Sequence, residues 1–122
     1  MPRPRVILES AVKTQRIKVR KELGSLHDLV VSPKTLTRYK QAVQTFLEWL
    51  RANRFKMLSD FIQIDELVSN YICECWEEGE ARSLVANLLS GLQHESPSLK
   101  RNLNSSWRLL GAWARREMPI LL

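Results

Sequence analysis

Residues 32–55 read SPKTLTRYKQAVQTFLEWLRANRF, a stretch with the punctuation of one long helix. Ser32 is placed to act as N-cap, because its hydroxyl can accept from a free backbone N–H of the first turn. Pro33 suits the first helical position, where a missing N–H costs nothing. Leu36, Tyr39, Val43, Phe46, Leu47 and Leu50 then recur at steps of three and four, the spacing of a stripe that faces a core. The helix is expected to fade near Asn53. The cations of this stretch gather toward its start, and that placement asks what the helix would grip.

Working outward, each flanking segment gives a helix or a connector. Phe55, Met57, Leu58 and Phe61 form an apolar connector expected to fold back on the core. Asp65 is positioned to cap a helix reaching about Glu78, with Leu67, Val68, Tyr71, Ile72, Cys75 and Trp76 inward and Gly79 as its stop. Glu80 or Ala81 opens another, with Ala81, Leu84, Val85, Leu88, Leu89 and Leu92 as its stripe and Pro97 as its end. After the connector SPSLKRNLN, with one short turn, Ser105 or Ser106 caps a last helix. Trp107, Leu110, Trp113, Ala114 and Met118 are expected inward there, and Pro119 closes it. Upstream, Arg3 to Glu9 is expected to be loose, while Ser10 to Leu23 can be helical and Gly24 stops it. Alternating runs and hairpin turn pairs are missing, so no strand is expected. The expected class is all-α: a small bundle of four main helices, preceded by a basic N-terminal arm or helix.

Composition sets the limits of function. A chain of 122 residues has room for one ordinary domain. With 44% hydrophobic and 26% charged residues it reads as a soluble globular protein. No window approaches the roughly 18 apolar residues of a membrane span, and MPRPRVILES lacks the apolar centre of a secretory signal. Glu9, Glu22 and the scarcity of Ser also speak against a mitochondrial leader. Cys73 and Cys75 stand one residue apart, a poor spacing for a disulfide and, without partner ligands, for zinc. An intracellular setting is therefore expected, with Cys75 in the core and Cys73 incidental. His27 and His94 stand apart from any ligand cluster, so no metal or other cofactor is expected, and no small-molecule substrate.

The net charge of +6 is unevenly spread. Residues 1–40 hold ten Lys or Arg against three Asp or Glu, whereas residues 57–81 hold seven acids and no Lys or Arg. Such a polarised chain suits a polyanion at one end and repels it at the other. Nucleic acid is the first candidate and an acidic membrane surface the second.

The ordered spacing carries a resemblance. The run Ser32, Pro33, Thr35, Leu36, Tyr39, Val43, Phe46, Leu47, Trp49 and Leu50 resembles the opening helix of the core-binding domain of tyrosine recombinases of the phage-integrase type. Ile64 and Asp65, a helix with Val68 and Tyr71, the Gly79 turn, and Arg82-Ser83 followed by Leu88-Leu89-Ser90-Gly91-Leu92 follow in that family's order. The ending LNSSWRLLGAWARREMP looks most like recombinases of eukaryotic mobile elements. The resemblance covers about residues 30–119, leaving residues 1–29 as the basic arm.

It implies a four-helix orthogonal, SAM-like bundle that forms one jaw of a clamp on double-stranded DNA, in DNA recombination and integration. Other recombinase subunits become possible partners, and a nuclear location follows if the source is eukaryotic. In that family a separate domain cuts DNA, with Arg and His stabilising phosphoryl charge and a Tyr as nucleophile. No His-x-x-Arg element occurs here, and Tyr39 and Tyr71 fall on core stripes. The catalytic domain is thus expected to be absent and the chain not to be an enzyme.

The candidate DNA contacts follow from both lines. Lys34, Thr35, Thr37, Arg38 and Lys40 crowd a helix start, where cations, dipole and free N–H groups add. Arg82, Ser83 and Asn87, with Ser90 and Gln93, form the polar side of the helix that the resemblance brings toward a groove. Lys100, Arg101 and Arg108 surround the last connector, while Arg115 and Arg116 suit Glu117 and the negative helix end. Arg3, Arg5, Lys13, Arg16, Lys18, Arg20 and Lys21 of the arm offer further backbone contacts. The alternative of another class is a helical protein-interaction adapter, its acidic segment and basic arm serving protein partners with no DNA role.

Overall fold

Helices alone make up the regular structure of the described residues, 4–56 and 60–117, in the computed structural model. In order they are α1 (Pro4–Leu23), α2 (Leu26–Leu29), α3 (Pro33–Ala52), α4 (Phe61–Glu77), α5 (Arg82–Glu95), a 3₁₀ turn (Pro97–Arg101) and α6 (Asn104–Arg116). The protein is all-α. The chain divides into two units, Met1–Leu36 and Thr37–Leu122, with the division inside the first turn of α3.

In the first unit the helix begins earlier than expected. Pro4 opens α1, so the stretch expected to be loose is helical from that residue on. Pro is at home in a first turn because the N–H it lacks has no intrahelical acceptor there. From Ser10 to Leu23 every side chain of α1 is exposed, and Gly24, at φ 99°, ends it. The short α2 was not expected; it is a single turn closed by Leu29 N–H donating to the Ser25 carbonyl at 3.1 Å. Ser32 caps α3 as expected. Its Oγ accepts from the Thr35 N–H at 3.2 Å, and its carbonyl accepts from Leu36 at 2.9 Å.

The second unit is the helical bundle. Phe46 and Leu50 of α3 are buried together with Ala42, which the stripe had not included. α4, α5 and α6 complete the core, chiefly with Val68, Ile72, Val85, Leu88, Leu89, Leu110 and Trp113. Leu99 and Leu103, both within the last connector, are buried too. Trp49 lies at the core edge, stacked on Phe46 at 6.0 Å and edge-on to Tyr71 at 5.2 Å, and its indole N–H donates to Glu74 Oε2 at 2.6 Å. Phe55 folds back on Trp49, their rings 5.5 Å apart. Met57 and Leu58 of that connector, like Met118 and Pro119, lie outside the described residues. Burial pushes the pKa of both the Tyr71 phenol and the Cys75 thiol up, so both are neutral core groups. Cys73 is exposed.

Two helix starts of the second unit differ from the sequence reading, and one residue explains both. Asp60, not Asp65, caps α4: its Oδ1 accepts from the Ile62 N–H at 3.0 Å. Asp65 sits one turn inside α4 and turns its carboxylate to another helix. It accepts from the Ser105 and Ser106 N–H groups at 3.0 Å each and from the Ser106 hydroxyl at 2.6 Å. Neither Ser105 nor Ser106 caps α6; the N-cap position holds Leu103, which has no side-chain acceptor to give. Asp65 supplies the missing acceptor and ties α4 to α6. Three further residues expected inward turn away from the core: Trp76 is 49% exposed, Ala81 is exposed, and Trp107 is 38% exposed.

The carboxylate of Asp65 thus satisfies donors that include a fully buried serine. Asp65→Ala is expected to destabilise the bundle by about 2–4 kcal/mol, since it removes charge-assisted bonds and strands buried donors. Asp60→Ala, an ordinary cap loss, should cost about 1 kcal/mol. Urea denaturation followed by far-UV circular dichroism checks the ordering of the two.

Candidate nucleic-acid interface

A single glycine sets how α3 and α5 meet. A Cβ built on Gly91 would stand 3.1 Å from the Tyr39 Cβ, 3.1 Å from the Tyr39 carbonyl oxygen and 3.1 Å from Val43 Cγ2. The backbone of α5 therefore lies against α3 where only hydrogen fits without displacement. The core sides of both helices turn inward from this contact, through Ala42, Phe46, Val85, Leu88 and Leu89. Their polar sides are left facing outward along one open groove.

That groove is lined on α3 by Thr37, Arg38, Lys40, Gln41, Ala42, Gln44 and Thr45, and on α5 by Ser83, Leu84 and Asn87. Five of the residues picked from the sequence come together here: Thr37, Arg38, Lys40, Ser83 and Asn87. Two cations and six uncharged polar side chains line it, and no carboxylate does. Gln44 is braced from the far end, its Nε2 donating to Glu48 Oε1 at 3.3 Å, and the Thr45 hydroxyl donates to the Gln41 carbonyl at 2.9 Å.

The remaining candidates are placed elsewhere. Lys34 and Thr35 belong to the first unit, where Lys34 is exposed and the Thr35 hydroxyl accepts from Ser32 Oγ at 2.9 Å within the cap. Arg82 opens α5, half-buried, and does not line the groove. Lys100 and Arg101 are exposed on the 3₁₀ turn. Arg108 lines a second groove along α6, in company with Arg115. Gln41, Gln44 and Thr45 were missed. Their signal was available, because they fall on the same helical face as Thr37 and Arg38, three to four residues apart.

Among the described residues no group of three or more His, Cys, Asp or Glu side chains is arranged to hold a metal ion. No helix among them is long and apolar enough to cross a membrane. Comparison of the chain with protein-family models, with curated proteins and with solved structures finds no match.

Gly91→Val is expected to force α3 and α5 apart and to lower stability by about 1–3 kcal/mol, the usual cost of overpacking. The gain in helix propensity, under about 1 kcal/mol, does not offset it. Thermal unfolding of the variant against the parent checks this.

Proposed function

We propose that the chain is a duplex-DNA-binding module of the kind that forms the core-binding half of a tyrosine recombinase, and that it seats the phosphate backbone in the α3–α5 groove. The observation that carries this reading is the grouping of Thr37, Arg38, Lys40, Ser83 and Asn87 in one groove without a carboxylate. Arg38 and Lys40 offer charge to phosphates, the hydroxyls of Thr37 and Ser83 offer donors, and the Asn87 amide is of the type that pairs with a base edge. The exposed cations Lys13, Arg16, Lys18, Arg20, Lys21 and Lys34 add backbone contacts in the first unit. The order of spacing quoted from the sequence supports the family half of the reading, with the SAM-like bundle, the role in recombination and a nuclear setting as its corollaries.

In this reading the module binds without cutting. Tyr71 is in the core with its phenol held neutral, and Tyr39 is half-buried beside the His94 ring, 6.1 Å away. Neither is presented as a nucleophile toward the groove's cations.

A second reading, a helical protein-interaction adapter, has its own observation. Ile72, Trp76, Leu109 and Trp113 line an apolar groove between α4 and α6, with Glu77 at its edge and Trp76 49% exposed. A stoichiometric protein partner that survives nuclease treatment favours it over DNA.

A salt-titrated mobility shift tests the first reading. Engaging ~5 phosphates gives a log–log salt slope near −4.5, and Arg38→Glu with Lys40→Glu should flatten it by about 1.8 while weakening binding on every sequence alike. Retardation that ignores salt, or a double variant that binds as the parent does, contradicts the reading.

A further inference from the structure

The second groove, along α6, shares no residue with the α3–α5 groove. Ser69 of α4 forms part of its wall, and α6 contributes Asn104, Trp107, Arg108, Gly111 and Arg115 among its lining. Two features of it have no explanation in core packing. Trp107 is 38% exposed, although the same helix buries Trp113 at 4%. An indole left more than a third in water forgoes a good part of the benefit its large apolar surface would bring inside.

Gly111 is the second feature. It lies in the middle of α6, where Gly is the poorest helix former after Pro. Nothing crowds it: an added Cβ would meet only Arg115 Nη1, at an ordinary 3.5 Å. This is the opposite of Gly91, whose bare backbone is required by α3. A local choice that weakens its own helix without serving the core is the kind found where a surface does something.

Position along the helix joins these features. Trp107, Gly111 and Arg115 follow one another at steps of four, so indole, bare backbone and guanidinium lie in sequence on one face. Arg108 flanks the indole, and no carboxylate lines the groove. A flat aromatic face, a floor without a side chain and two planar cations match a nucleobase with its neighbouring phosphates.

We propose that the α6 groove binds an unpaired nucleotide of single-stranded nucleic acid, its base stacked on Trp107 over Gly111 and its phosphates on Arg108 and Arg115. The inference takes from the duplex reading only the class of ligand. Its residues are different ones, so each reading can fail without the other. A chain holding both sites grips duplex in the α3–α5 groove and a melted or branched strand on α6.

The test is a fluorescence titration of the full chain with oligothymidylate of about 12 nucleotides and, in a parallel arm, oligouridylate of the same length. Saturable tryptophan quenching is expected, with a log–log salt slope near −1.4 if two phosphates are held. Trp107→Ala should weaken binding about tenfold and remove the quench. Gly111→Leu should weaken it comparably by filling the floor, yet melt at the parent's temperature or above because it favours the helix. Equal affinity in the two arms assigns recognition to features the two strands share, and a preference for either names the sugar 2′-hydroxyl or the thymine 5-methyl group as a further contact. The inference is overturned if no quench develops, if it persists in Trp107→Ala, or if Gly111→Leu binds as the parent does. Quenching without duplex retardation sinks the duplex reading alone, and retardation without quenching sinks this one alone.

Discussion

Gly91 lets two helices touch where a side chain would hold them apart. With the Tyr39 carbonyl and Val43 Cγ2 both 3.1 Å from where its Cβ would be, any side chain at this position would require α3 or α5 to give way. Close-packed interiors transmit such a constraint, because there is little free volume to absorb it. The contact brings α5 against α3, the buried Ala42, Phe46, Val85, Leu88 and Leu89 set which sides turn inward, and Thr37, Arg38, Lys40, Ser83 and Asn87 are left to share one groove. The arrangement of polar side chains on this side of the bundle is thus a consequence of packing. It does not depend on a flexible loop carrying the cations into place.

The acids serve the fold in a complementary way. Between residues 57 and 81, Asp60 caps α4, Asp65 caps α6 from across the bundle, and Glu74 accepts from the Trp49 indole. Asp65 and Glu74 meet donors that would otherwise lack a partner inside or at the edge of the core, while Asp60 serves an exposed helix start. Arg38 and Lys40 of α3 and Arg108 and Arg115 of α6, by contrast, line two grooves that hold no carboxylate, although Lys40 also borders a smaller pocket with Glu95 and Arg116 lines another with Glu77. A chain that places acids in its framework and leaves cations at its surface can carry locally positive grooves at modest net charge.

Much of this was legible in the sequence because helical periodicity reports a core face directly. The stripe Val85, Leu88, Leu89 and Leu92 is buried as read, and Ser32, Pro33 and Gly79 punctuate as read. What failed was partner choice over distance. Asp60 and Asp65 look alike as N-cap candidates, and only the fold reveals that one of them faces Ser106, 41 residues downstream. Trp107 was misread because a large aromatic three residues before Leu110 fits an inward stripe, whereas Leu103, Ser106, Leu110 and Trp113 fill that face. For the groove, the cations were found by charge and the hydroxyl and amide of α5 by resemblance. Gln41, Gln44 and Thr45 escaped because charge led the reading, although their three- and four-residue spacing from Thr37 and Arg38 already placed them on that face.

The central claim is that DNA lies along the α3–α5 groove, and amide chemical-shift mapping of the ¹⁵N-labelled chain with a duplex at low salt tests it most directly. The account requires the largest shifts at Thr37, Arg38, Gln41 and Thr45 on one helix and at Ser83 and Asn87 on the other, fading as salt is added. Shifts centred on the acidic end of α4, around Glu77 and Glu78, or none at all, would contradict it.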